Sequence, residues 1–311
     1  RLGVAWVADN SRKFQVFLGE SLDPAAVKLL DPASAMPARP AVAWNGSGWA
    51  IAWEAETTDD EGRHEVLRFA TVDTAGQEAI APKNLWVTTV ANNGVTEKSV
   101  DDPDIAWHEA AQTYVVVWST RTSSSDIYML FIRRDGADSQ GREDIPHGAA
   151  LRVTQTDVDT IDPLVSPRAV GVYDIVYRQG SSSVDTILRT VNLEAALEGS
   201  DVNLSNAATE VTHHGYARTT KGAVVGFTQR DGTTGETYRT QLRTNRTIAG
   251  DKRFEVDREF TDTNGGQAVS ATTGEYAIVT EGEREGRRDI YVARYLDNGA
   301  RIGLPFSVSS D

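Results

Sequence analysis

An apolar run that closes on a bulky residue recurs six times along the chain. The runs are Gly3-Val4-Ala5-Trp6, Ala50-Ile51-Ala52-Trp53, Val115-Val116-Val117-Trp118, Asp174-Ile175-Val176-Tyr177, Val224-Val225-Gly226-Phe227 and Ala277-Ile278-Val279-Thr280. Their last residues stand 47, 65, 59, 50 and 53 positions apart. What lies between them reads as strands and turns. A strand-only unit of this size has to stack on its neighbours to cover both sheet faces, which is how a propeller blade is built. The expected fold is therefore all-β: a six-bladed β-propeller of four-stranded antiparallel blades. It forms one domain over residues 1–311, with blades at approximately 1–38, 39–100, 101–160, 161–214, 215–265 and 266–311.

The third blade shows the reading. Asp102-Pro103-Asp104-Ile105-Ala106-Trp107 suits an inner strand, since proline is tolerated at a strand start and β-branched and aromatic residues follow. Tyr114 to Trp118 is continuously apolar, the pattern of a strand covered on both faces. Asp126 to Arg133 alternates, and Leu151-Arg152-Val153 makes a short outer strand; Val27 to Leu30 reads as another in the first blade, and Asn92-Asn93-Gly94 as the turn of an enlarged outer-strand region and linker over Ala81 to Val100. The third strands of all repeats align on Phe14, His64, Asp126, Asp185, Glu236 and Asp289. Asp126, Asp185 and Asp289 are expected to accept nearby N–H groups. The opening repeat starts at its second strand, which leaves three expectations open: an inner strand upstream of Arg1, a first blade of only three strands, or a seventh blade outside this chain. A larger parent polypeptide or assembly is a further expectation.

Net charge narrows the partners. Lys and Arg total 31 against 45 Asp and Glu, a formal charge of −14. Such a surface repels phosphate backbones and anionic headgroups, so nucleic acid and membrane insertion are not expected. The absence of cysteine excludes disulfides, thiolate chemistry and Cys-ligated zinc. No apolar run approaches the roughly 18 residues of a spanning helix.

Pro40-Ala41-Val42-Ala43-Trp44-Asn45-Gly46-Ser47-Gly48-Trp49-Ala50-Ile51-Ala52-Trp53 resembles the repeats of secreted bacterial β-propeller proteins, of the kind found in exported proteins of delta-proteobacteria. The resemblance is strongest over residues 39–135. It implies a propeller and a secreted or cell-surface, extracytoplasmic address.

Propeller ligands usually bind at the loops that enter the inner strands. Asp101, Asp102 and Asp104 gather at one such loop, and Asp157, Asp159 and Asp162 at the next. These acids offer hard oxygen ligands, so Asp101, Asp102 and Asp159 are candidates for calcium, although no complete calcium-loop motif is present. Among the seven tryptophans, Trp53 and Trp118 recur at core positions, whereas Trp49 and Trp86 break the register and are expected to be exposed. The expected ligand-binding set is Asp101, Asp102, Asp104, Asp159, Asp162 and Trp49. The leading expectation is a non-catalytic extracellular binding or assembly module that contacts protein or glycan. The alternative is a glycan hydrolase with carboxylates from Asp102, Asp104 and Asp162, one to protonate a leaving group and another to attack or activate water. Asp102-Pro103 and Asp162-Pro163 resemble the Asp-Pro near an inner strand of family-43-like glycosidases. The Ser-x-Asp-x-Gly-x-x-Trp turns of sialidase-like propellers are absent.

Overall fold

Valine, isoleucine and aromatic residues in unbroken runs favour strands with both faces covered, and the turn residues between them allow the chain to reverse every ten or so residues. The computed structural model describes residues 2–8, 11–17, 28–31, 40–59, 62–88, 99–121, 124–143, 145, 149–180, 184–205, 210–231, 234–245, 247–248, 254–255, 262–270, 274–284 and 286–308. Among these there is no α-helix. The strands are β1 (Leu2–Ala8), β2 (Ser11–Phe17), β3 (Lys28–Asp31), β4 (Ala41–Trp44), β5 (Gly48–Asp59), β6 (Gly62–Asp73), β7 (Glu78–Val87), β8 (Ser99–His108), β9 (Thr113–Arg121), β10 (Ser125–Arg133), β11 (Leu151–Arg152) and β12 (Thr160–Ala169). They continue as β13 (Val172–Gln179), β14 (Asp185–Asn192), β15 (Val202–Asn203), β16 (Glu210–Thr219), β17 (Gly222–Asp231), β18 (Thr234–Arg243), β19 (Phe254–Glu255), β20 (Asp262–Ser270), β21 (Glu275–Arg284), β22 (Arg287–Leu296) and β23 (Phe306–Ser307).

These strands form one three-stranded sheet, β1-β2-β3, and five four-stranded sheets. Each four-stranded sheet is a meander of four consecutive strands, β4–β7, β8–β11, β12–β15, β16–β19 and β20–β23. The outer strand expected at Val27–Leu30 is β3, and the one expected at Leu151–Val153 is β11. The expected turn at Asn92-Asn93-Gly94 lies outside the described residues.

The chain divides into two compact units, residues 1–175 with 190–198, and residues 176–189 with 199–311. In the first unit, alternation along β5 sends its side chains into two separate cores. Ala50 and Ala52 join Leu67, Phe69, Trp86, Ile105, Tyr114, Val116 and Trp118 between two neighbouring sheets. Trp49, Ile51, Trp53 and Ala55 join Val66, Ala70 and Val72 on the other face. β9 is the most deeply covered strand, with Tyr114 to Trp118 wholly inaccessible. Gly48 is required where β5 opens: a Cβ there would come within 2.4 Å of the Val72 carbonyl oxygen.

The second unit repeats the device. Val225 and Phe227 of β17 pack with Val176, Leu188, Leu204 and Val211, whereas Val224 faces Ala217, Tyr276, Ile278, Ala293 and Tyr295. A buried Arg239 lies 4.3 Å from the Tyr295 ring centroid and donates to the Tyr276 hydroxyl and the Gly299 carbonyl. Asp185 accepts a hydrogen bond from Ser205 Oγ at 2.7 Å. Asp126, in the first unit, accepts from Arg152 and from Thr154 Oγ1. Both aspartates thus hold the third strand to the segment that follows the outer strand.

Candidate functional site

The candidate carboxylates sit in the first unit at the starts of β8 and β12. β8 begins three residues before the expected Asp102, because Ser99, Val100 and Asp101 find partners in Arg121, Thr120 and Ser119 of β9. The ladder then slips: Asp101 faces Ser119 but Asp104 faces Val117, so Asp102 and Pro103 form a bulge. A bulge is where a proline fits, because no ladder N–H is needed there.

Asp102 takes a left-handed backbone conformation, φ 51°, and so does Asp162 at the matching place in β12. A residue before proline normally stays extended, and a non-glycine residue in the left-handed region costs on the order of 1–3 kcal/mol. Two copies of the same departure mark a conformation the fold imposes, and such strain gathers at functional sites.

β8 and β12 each lie at an edge of their sheets, leaving N–H groups that β9 and β13 do not use. Neighbouring carboxylates take them up. Glu54 Oε1 of β5 accepts the Asp102 N–H at 2.7 Å, and Glu65 Oε2 of β6 accepts the Val100 N–H at 2.9 Å. Asp104 Oδ2 accepts the Val165 N–H of β12 at 2.7 Å. Asp159 Oδ1 accepts the Ser125 N–H at 2.8 Å, and the Asp101 carboxylate accepts from Ser99 Oγ.

These contacts sort the expected residues. Asp104 is partly buried, and burial pushes its carboxyl up to about 6, against the pull of the Val165 and Ile105 N–H groups. Its contact at Val165 brings it to within about 10 Å of extended chain from Asp162, three residues earlier in β12. Asp102 is two residues from Asp104, at most about 7 Å along the backbone. The Asp104–Val165 contact thus sets the start of β8, with Asp102 and Asp104, beside the start of β12, with Asp162. Asp101 accepts from a hydroxyl two residues away, and Asp159 ties its segment to the start of β10. Among the described residues, no three acidic or histidine side chains meet as a metal ion would require.

Two expectations are corrected. Trp49 is buried, 4% exposed, and so is Trp86. Trp49 stands two and four residues before Ile51 and Trp53 on the same face of β5, which places it in register with the core. Among the described residues, the exposed indole is that of Trp44, 44% accessible and lying against Trp49 at 4.4 Å. Sequence reasoning missed Glu54 and Glu65, whose partners are 48 and 35 residues away. A described cleft of about 560 Å³ lies at the far end of β8, lined by Ala111, Gln112, Thr113, Arg133, Arg134 and Asp135, and holds none of the candidate carboxylates.

No family model matches the chain, and no curated protein matches it. The delta-proteobacterial origin implied by the sequence resemblance therefore gains no support. Solved structures do match. A subtype N10 neuraminidase-like protein of a little yellow-shouldered bat isolate from Guatemala aligns with a TM-score of 0.57 and 9% identity over 94% of this chain and 88% of that one. A subtype N11 neuraminidase-like protein of a flat-faced bat isolate from Peru aligns with a TM-score of 0.51 and 10% identity over 96% and 79%. The Cellvibrio cellulosa α-L-arabinanase complexed with arabinohexaose aligns with a TM-score of 0.46 and 10% identity over 84% and 93%. The likeness identifies the fold as an all-β propeller. At 9–10% identity the likeness bears on the fold alone, and the leading expectation of a non-catalytic binding module gains no support from it.

Proposed function

We propose that this protein hydrolyses glycosidic bonds, with Asp104 as the proton donor and Asp102 or Asp162 as the carboxylate that attacks or activates water. The observation that carries the reading is the contrast at the start of β8. Asp104 is desolvated and holds its proton up to about pH 6. Asp102 and Asp162 share an imposed left-handed backbone at the starts of β8 and β12. An acid that keeps its proton beside carboxylates of a different setting is the pairing glycoside hydrolysis requires.

In this reading Asp104 gives its proton to the glycosidic oxygen as the bond to the anomeric carbon breaks. The second carboxylate either bonds that carbon or removes a proton from an attacking water. Water supplies the hydroxyl of the new reducing end. The fold is compatible with six blades, the first sheet being the three-stranded one, and with an extracytoplasmic site of action on a glycan.

The test is hydrolysis of a sialoside, arabinan and β-1,3-galactan, with release of reducing sugar followed over pH. Asp104→Asn is expected to lower turnover about 10²–10⁴-fold. An active wild type in which Asp102→Asn, Asp104→Asn and Asp162→Asn all retain full turnover would remove these residues from the chemistry. Inactivity of the wild type on the whole panel would remove the reading itself.

A further inference from the structure

We infer that Glu54 is a positioning residue for Asp102: its carboxylate, reaching across from β5, holds the left-handed backbone turn that aims the Asp102 side chain. This rests on the hydrolase reading for its functional consequence. Its geometric basis is separate.

The Asp102 N–H belongs to an edge strand and sits inside the bulge, where β9 offers it no ladder partner. Glu54 Oε1 accepts it at 2.7 Å from a neighbouring sheet. A charged acceptor on a backbone N–H makes one of the stronger hydrogen bonds, comparable in size to the strain of a left-handed aspartate. The bond is therefore of the right size to hold the strained turn against relaxation to an extended backbone. Glu65 accepts the Val100 N–H two residues earlier, at 2.9 Å, and so pins the strand on the other side of Asp101.

Glu54 itself is set rigidly. It follows Trp53, which is wholly buried, and its own backbone is paired with Leu67 of β6. Movement at Glu54 would have to drag a packed strand with it. The carboxylate therefore transmits the position of the β5–β6 core to the Asp102 turn.

The experiment compares Glu54→Gln and Glu54→Leu with wild type, in kcat, KM and backbone amide exchange at Asp102. Glutamine keeps a carbonyl oxygen able to accept the N–H, whereas leucine removes it at similar volume. Expected are slow exchange at Asp102 in wild type and Glu54→Gln, and fast exchange in Glu54→Leu. Turnover should fall about 10–100-fold in Glu54→Leu with KM nearly unchanged, because a small misplacement of a reacting group costs rate rather than binding. Glu54→Gln should restore most of it. Full kcat in a folded Glu54→Leu overturns the inference while leaving the hydrolase reading in place. So does equal loss in both variants, which would assign the effect to charge. A wild type inactive on sialoside, arabinan and β-1,3-galactan overturns the hydrolase reading, and the exchange data still decide whether Glu54 holds the turn.

Discussion

At the scale of single residues, Asp104 is the group whose surroundings matter most. Its carboxyl binds a proton more tightly in the folded protein, at about 6, than its ordinary value of 3.8. A raised value means the folded state prefers the protonated form. The associated stabilisation is fully present below about pH 4 and is lost as pH rises through 6. The loss amounts to as much as about 3 kcal/mol. Asp104→Asn should flatten this part of the stability–pH curve in denaturant titrations between pH 4 and 7; a slope identical to wild type would show that the proton is not held there. In turnover, the same substitution should remove the decline above about pH 6. The tryptophans give a second contrast. Trp49→Ala empties a core position and is expected to cost about 3–5 kcal/mol, whereas Trp44→Ala, half-exposed, should cost far less. Equal losses by thermal melting would place Trp44 in the core as well.

At the scale of elements, the bulge in β8 separates what sequence reveals from what it conceals. The repeat of apolar runs located the second strands, because valine, isoleucine and tryptophan at successive positions leave few other conformations. Short outer strands such as β3 and β11 were legible from turn residues on either side. Pre-proline statistics point the other way at Asp102 and Asp162, favouring an extended residue where both are left-handed; at Asp102 ladder slippage overrides them. Trp49 was misread because it stands second in β5, directly after the turn, where its parity with Trp53 is easily overlooked. Glu54 could not be found locally, since its function depends on a strand 48 residues away. Strain makes the bulge testable. Glycine at position 102 has no left-handed penalty but adds about 0.5–1 kcal/mol of chain entropy to be lost on folding. Asp102→Gly is therefore expected to leave stability unchanged or raise it by about 1 kcal/mol, and to abolish turnover where Asp102 rather than Asp162 is the second carboxylate. A drop of more than about 2 kcal/mol in denaturant unfolding would instead make Asp102 a structural carboxylate.

At the scale of the whole chain, the repeat fixes the class of fold, while the charge governs behaviour in solution. The strand-only period was readable because stacked sheets demand apolar residues on both faces, and β5 and β17 display this by feeding separate cores from alternate positions. The choice between a binding module and a hydrolase was not readable, because paired carboxylates and ordinary acidic loops share one composition. The formal charge of −14 sets two opposing electrostatic terms. Exposed ion pairs such as Arg133–Asp135 and Arg288–Glu281 weaken as salt rises. Surface pairs of this kind are worth about 0–1 kcal/mol each. Repulsion among the excess acids also weakens, and it acts over every sheet edge at once. Screening shortens the Debye length from roughly 30 Å at about 0.01 M salt to roughly 3 Å at about 1 M. Repulsion should win, so the thermal midpoint is expected to rise by about 2–4 °C across that range, equivalent to about 1 kcal/mol for a chain of this size. A midpoint that falls with sodium chloride would show that the ion pairs outweigh the excess charge and that the acids are locally compensated. The same excess predicts no retention on a heparin column at low salt, because polyanions meet a repulsive surface.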